Sequence, residues 1–236
     1  MSHFIISLAL AVVPVVLAIT LHEAAHGYAA LALGDTTARD AGRLSLNPIR
    51  HVDKVGTILL PGFLLVSQLL LPPHRIFFMF GWAKPVPVAA WKFRDPRRGM
   101  ALVAMAGPLM NFFLAWLAAL LMPTPQFPTQ TDILIQQFLF YFMLSNMVLG
   151  LFNLVPVPPL DGGRIAVGLL PLPLAKIWAR LERAGIVIVL ILVFVLPRAL
   201  GIDPVGEALN HVLPWAFRTL FVLAGKDIEG WDSESL

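Results

Sequence analysis

From Phe4 to Leu33 the sequence carries no Lys, Arg or Asp, and its only charged side chain is Glu23. A run this long exceeds the ~20 apolar residues that cross a bilayer as a helix, so it reads as a span that tilts or emerges at its far end. Inside it stands Thr20-Leu21-His22-Glu23-Ala24-Ala25-His26-Gly27. Two histidines four apart lie about 40° from each other around a helix, one turn along, so both imidazoles leave the same face. That spacing lets one helix offer two nitrogens to a single Zn²⁺. Glu23, beside the first of them, is placed to act as a general base there.

A single histidine on an apolar face is more often a hydrogen-bonded core residue than a ligand. Here three polar side chains fall within five positions of a segment that lipid should surround. Ionisable groups at that depth cost about 2.5–3.5 kcal/mol each on insertion scales, and they mark functional sites. A metal paired with them removes much of that cost, which favours zinc.

The rest of the chain is of the same kind. It is 58% hydrophobic and 13% charged, against about 25% charged in a soluble domain, so a polytopic membrane protein is expected. The net charge of +3 does not indicate a nucleic-acid partner, because the basic residues fall in short loops between apolar runs. There is no cysteine, hence neither disulfide nor thiolate ligand. The start, Met1-Ser2-His3, has no basic n-region and no small-residue cleavage site, and reads as a retained span.

Further spans are expected over Gly99–Met122, Ile133–Leu154 and Gly185–Leu200, while Asp203–Ala224 is ambiguous between an interfacial and a crossing helix. Val55–Leu71 is apolar but short, with Pro61-Gly62 at its middle, and suits either a kinked span or a re-entrant segment. In Phe77–Ala90, Pro85 and Pro87 forbid regular helix and suggest an extended stretch over Gly81–Val88 with an unpaired edge. Ala106-Gly107-Pro108 permits close helix approach, and Asn111 puts an amide into the bundle. Pro156, Pro158 and Pro159 unwind the end of the Ile133 span and aim Asp161 sideways ahead of Gly162-Gly163. Arg164–Arg183 reads as an amphipathic connector.

A catalytic zinc usually takes three protein ligands. Asp161, His51, Asp53, His74 and His211 are the candidates for the third. Asp161 is the best placed, with a helix N-cap as its alternative role. For Asp161 to join the histidines, two helix ends must lie at one face of the membrane. A single crossing by Val55–Leu71 would separate them; re-entry brings them together. Charge agrees with re-entry: Gly34–Arg98 holds ten Lys and Arg, Gly162–Arg183 holds four, and Pro123–Asp132 holds none. The positive-inside rule then puts the site nearer the cytosol.

With these features the chain resembles the site-2 protease family of intramembrane zinc metalloproteases. His22-Glu23-Ala24-Ala25-His26 matches its HExxH, Gly107 to Asn111 is similar to its GxxxN, and Asn153 to Gly162 to its NxxPxPxLDG. The resemblance implies an all-α polytopic membrane protein. Its three-helix catalytic core with a re-entrant or extended segment would occupy residues 1–163, with additional C-terminal helices over 164–236. It implies one Zn²⁺ per chain held by His22, His26 and Asp161, with Glu23 as general base. It further implies substrate or oxyanion contacts from Asn153 and Asn111, and a substrate-strand contact along Gly81, Trp82 and Lys84. Single-span membrane proteins are the implied substrates and the bilayer the implied setting. Nothing in the chain's length leaves room for the PDZ or CBS domain of larger members. A non-catalytic scaffold for single-span partners is the rival reading, but a structural zinc needs four closed ligands and no Glu23. A transporter would call for inverted repeats, and none is visible.

Overall fold

The computed structural model describes residues 2–70, 81–123 and 129–226. Its helices are α1 (Ser2–Ala32), α2 (Thr37–Asp40), α3 (Leu60–Leu70), α4 (Pro96–Leu121), α5 (Gln130–Leu154), α6 (Asp161–Leu169), α7 (Leu172–Arg180), α8 (Gly185–Leu190), α9 (Leu196–Leu200) and α10 (Pro204–Leu223). No strand occurs among the described residues. Among the described residues, four stretches are long and apolar enough to cross a membrane: Ile5–Ala32, Pro96–Leu121, Gln130–Leu154 and Leu172–Leu200. The chain is an all-α polytopic membrane protein.

α4 is the central helix, packed against α1, α5 and α6, while α1 also meets α5. Asp95 starts it by accepting the Arg97 and Arg98 amides, with Pro96 in the first turn where its missing N–H is harmless. α5 opens on a reciprocal Thr129–Asp132 capping box. In lipid the apolar surface gains little from helix contact, so close packing and interhelical hydrogen bonds hold the bundle. Small residues supply the first: Ala115, Ala118 and Ala119 of α4 meet Met143 and Met147 of α5 and Phe217, Leu220 and Phe221 of α10. The segment ambiguous in sequence, Asp203–Ala224, is thus a helix docked on the α4–α5 pair. The expected span Gly185–Leu200 lies within the longer run Leu172–Leu200, which ends at Gly201 in the left-handed conformation usual for a helix stop.

The short apolar segment begins as a π-turn, Lys54–Leu59, capped by Asp53, and continues as α3. Pro61 has no N–H to return to the turn before it. The Gly56 carbonyl in that turn accepts the Trp82 amide instead, at 3.1 Å, and the His51 carbonyl accepts the Lys84 amide at 2.9 Å. The chain therefore comes back by residue 82 to the level from which it left at residue 54. Gly56 makes room for the return: a Cβ there would lie 2.4 Å from the Trp82 indole.

The returning segment is pinned at its far end by Asp35, which is fully buried just beyond α1. Its carboxylate accepts the Ala89 amide at 2.6 Å and the Thr37 amide at 2.9 Å, and pairs with Lys92 at 3.2 Å. Burial pushes this carboxyl up, but the Ala89 amide, the Thr37 hydroxyl and amide and the Lys92 ammonium together outweigh it and hold it at about 2.

Candidate metal centre

His22 and His26 lie on the face of α1 turned to α4, both buried. Helix α4 is shaped to receive them. Gly107 sits directly behind the two rings, where a Cβ would come within 2.5 Å of His22 Cε1 and of His26 Cε1 and Nε2. Pro108 has no N–H for the Ala104 carbonyl, and its ring crowds that turn. One residue earlier, the Val103 carbonyl takes His26 Nδ1 at 2.7 Å. His22 Nδ1 meets Asn111 Oδ1 at 2.6 Å. A carbonyl can only accept, so His26 carries its proton on Nδ1 and leaves the Nε2 lone pair free. His22 presents its Nε2 to the same point.

Asp161 completes the cluster. Its position depends on the glycines after it: a Cβ on Gly162 would lie 2.3 Å from the Leu154 carbonyl, and one on Gly163 2.5 Å from the Pro158 nitrogen. Without side chains there, the first turn of α6 seats on the unwound end of α5 and swings its carboxylate beneath the histidines. Asp161 Oδ2 lies 3.1 Å from His22 Nε2 and 3.2 Å from His26 Nε2, and the two Nε2 atoms are 3.0 Å apart. Oδ2 is buried and has no hydrogen-bond partner.

Three lone-pair atoms at mutual distances of 3.0–3.2 Å with no proton to share repel one another unless a cation joins them. Tetrahedral zinc with ligands at about 2.0–2.1 Å spaces them by about 3.3 Å. Two neutral imidazoles and a carboxylate are a catalytic zinc donor set, lacking one ligand of a closed structural site. Among the described residues, this is the group of His, Asp and Glu able to hold a metal ion.

Glu23 is half-buried next to the cluster, and its Oε2 accepts the Val86 amide at 3.0 Å. Val86 belongs to the returning segment, and Gly27 admits it: a Cβ there would stand 3.1 Å from Val86 Cγ1. Amides 82, 84 and 86 all bond towards the protein, to Gly56, His51 and Glu23. That alternation is the period of an extended strand. Arg43 adds a bond to the Lys84 carbonyl at 2.8 Å, and Thr57 Oγ1 one to the Trp82 carbonyl at 2.9 Å. The opposite edge belongs to Ala83, Pro85 and Pro87, two of which have no N–H.

The other expected residues are placed as follows. Trp82 and Lys84 are exposed on this segment beside Gly81. Asn153, half-buried in the last turn of α5, donates back to the Leu149 carbonyl at 3.0 Å. Asn111 is fully buried, enclosed by the α4–α5 contact, and its amide faces His22 and Asn146. Of the alternative third ligands, His51 braces its loop by donating to the Ser45 carbonyl at 2.8 Å, Asp53 caps the π-turn, and His211 bonds the Glu207 carbonyl. His74 lies outside the described residues. Sequence reasoning missed the Val103 carbonyl and Asn146. The Pro108 break pointed towards the first; the second had no signal beyond a polar residue in an apolar span.

A helix-borne pair of imidazoles, a carboxylate from a second helix end and an adjacent glutamate, all within a membrane bundle, define a zinc hydrolase of the metalloprotease class. Comparison with known proteins agrees. The model of Peptidase family M50 matches residues 124–196. YwhC of Bacillus subtilis, named as a candidate zinc metalloprotease, is 38% identical over 195 residues, covering 79% of this chain and 80% of its own. The zinc metalloprotease MJ0392 of Methanocaldococcus jannaschii is 36% identical over 83 residues, 34% of this chain and 23% of its own. Rip2 of Mycobacterium tuberculosis, also named as a candidate zinc metalloprotease, is 31% identical over 146 residues, 60% of this chain and 50% of its own. No solved structure matches the chain. The chain belongs to Peptidase family M50, the site-2 proteases, and is a membrane-embedded zinc metalloprotease.

Proposed function

We propose that the protein is an endopeptidase that cuts single-span membrane proteins within or near their transmembrane segments, with its site nearer the cytosolic face. The observation that carries this reading is the bond from the Val86 amide to Glu23. It ties the general base to an extended segment whose far edge is open to another chain. His22, His26 and Asp161 would hold the ion, which when bound would supply a Lewis acid and an acidified water. Glu23 takes a proton during attack and returns it to the leaving amine, with its carboxylate aimed by Val86. Asn153, at the open end of α5, is the residue offered to the substrate backbone or the developing oxyanion.

A helical substrate hides its carbonyls in i→i−4 bonds and must unwind before attack. The segment around Gly81, Trp82 and Lys84 can receive the unwound chain by strand addition. Of its outward residues, Ala83, Pro85 and Pro87, one alone has an N–H, and the Pro85 carbonyl already takes a long bond from Arg43 at 3.4 Å, so the carbonyls of Ala83 and Pro87 are those offered. The substrate amides are thus gripped while substrate carbonyls opposite the prolines stay free for the metal. Substrates with Gly, Pro or Asn weakening the helix are favoured, provided proline does not fall opposite that edge. The cytosolic placing rests on the positive-inside rule, with ten Lys and Arg in Gly34–Arg98 and four in Gly162–Arg183 against none in Pro123–Asp132.

The test is incubation of the purified protein with a panel of single-span peptides, with and without chelator, alongside Glu23→Gln. Cleavage by the wild type should vanish with chelator, and the variant should keep its zinc while cleavage falls to background. Cleavage that persists in Glu23→Gln would assign the base elsewhere. Binding of the peptides without cleavage by the wild type would select a scaffold role.

A further inference from the structure

His22 and His26 are oriented by partners of different character. The Val103 carbonyl facing His26 can only accept, so it dictates one tautomer. The side-chain amide of Asn111 facing His22 has an oxygen and a nitrogen of nearly equal size. Turned one way it accepts from Nδ1–H and leaves Nε2 free for the metal. Turned the other way it donates to Nδ1, puts the proton on Nε2 and blocks that ligand. Nothing in residue 111 itself decides between the two.

The decision is made on the neighbouring helix. Asn111 Nδ2 donates to Asn146 Oδ1 at 2.8 Å, and Asn146 Nδ2 donates to the Phe142 carbonyl at 2.8 Å. Both asparagines are fully buried, with relative exposures of 0%. The relay ends on a backbone carbonyl, which has no proton to give. Asn146 must therefore turn its nitrogen to Phe142 and its oxygen to Asn111. Asn111 must then turn its nitrogen to Asn146 and its oxygen to His22. Reversing any member would set two acceptors face to face between side chains that are fully buried. Gly150, one turn beyond Asn146, lets the helices close over the relay: a Cβ there would lie 3.2 Å from Asn111 Cβ.

We infer that Asn146 is a positioning residue of the metal centre, which through Asn111 holds His22 in the tautomer with Nδ1 protonated and Nε2 free to bind zinc. This rests on the reading of His22, His26 and Asp161 as zinc ligands. Outer partners of metal-bound histidines are typically worth 10–100-fold in metal affinity. Asn146 touches neither the ion nor a ligand, so its effect passes entirely through the direction of one amide.

The experiment compares the full-length wild type with Asn146→Leu and Asn146→Asp. Zinc affinity is read by competition with a chelator, and imidazole tautomers by nitrogen NMR of metal-free protein labelled at histidine. Asn146→Leu should bind zinc about 10–100-fold more weakly, with His22 in mixed tautomers and His26 unchanged under its Val103 carbonyl. Asn146→Asp, protonated in its apolar setting, donates to Phe142 and accepts from Asn111 as the amide does, and should restore both readouts. Equal affinity and an unchanged His22 tautomer in Asn146→Leu would overturn the inference, as would loss of zinc in both variants with the tautomer unmoved. Should the variants fail to fold, a wild-type His22 protonated on Nε2 overturns it alone. Absence of stoichiometric zinc from the wild type would instead overturn the metal-centre reading.

Discussion

Replacing Gly107 with alanine puts the smallest possible side chain behind the metal site. The new Cβ would stand 2.5 Å from His22 Cε1 and from His26 Cε1 and Nε2, whereas ordinary contact begins at 3.4 Å. Something must yield by about 0.9 Å, the difference between those distances. The rings are poorly able to do so, because Nδ1 of each is already tied to α4 itself, by the Asn111 side chain at 2.6 Å and the Val103 carbonyl at 2.7 Å. Metal sites tolerate shifts of only about 0.2 Å. Overpacking of this kind costs about 1–3 kcal/mol, which at about 1.4 kcal/mol per tenfold is about 5- to 150-fold in zinc affinity. Since the displacement falls on the ligand atoms, the upper end of that range is expected. The assay is chelator competition on the purified protein, with Gly62→Ala as control, since a Cβ there meets nothing within 4 Å. Gly107→Ala binding zinc as tightly as the control would refute the close seating of the histidines on α4.

Other residues make separate predictions. Val86→Pro removes the N–H that holds Glu23; hydrogen bonds to charged groups are worth about 1.5–3 kcal/mol, so cleavage should fall about 10- to 100-fold while zinc content is kept. An unchanged rate would mean that Glu23 needs no such guide. Asp35, whose carboxyl is depressed to about 2 from 3.8, should stabilise the native state by about 2 kcal/mol through linkage. Because the folded value lies below the unfolded one, this contribution is complete above about pH 4 and disappears as pH falls through 2. The difference in thermal stability between wild type and Asp35→Asn should therefore be constant near neutrality and close in acid; a gap that widens in acid would contradict the pairing with Ala89, Thr37 and Lys92.

Several parts of this site were legible in the residues. Local periodicity placed His22 and His26 on one face, because the helical repeat fixes that angle whatever surrounds the helix. The prolines announced the breaks at Val155–Pro159 and along residues 85–87, since a missing N–H acts in any context. The tally of basic residues pointed to a Val55 segment that does not simply cross once, and Trp82 and Lys84 bond back to Gly56 and His51. Asn111 shows where such reading stops. It was expected at the substrate, yet its amide is turned inward to His22 and Asn146.

That difference has a physical source. A span such as α1 is apolar on all sides, so its sequence marks which residues are polar without marking which way they face in the bundle. The chain alone determined that two imidazoles and a glutamate share a membrane helix, and that Asp161 follows a broken one. Only the packed helices decided that Asp161 meets those imidazoles, that Gly107 backs them, that Val86 holds Glu23, and which end of an amide His22 sees. Spacing along one helix is set by covalent geometry; meeting across helices depends on rotation, depth and close approach, which no single segment contains.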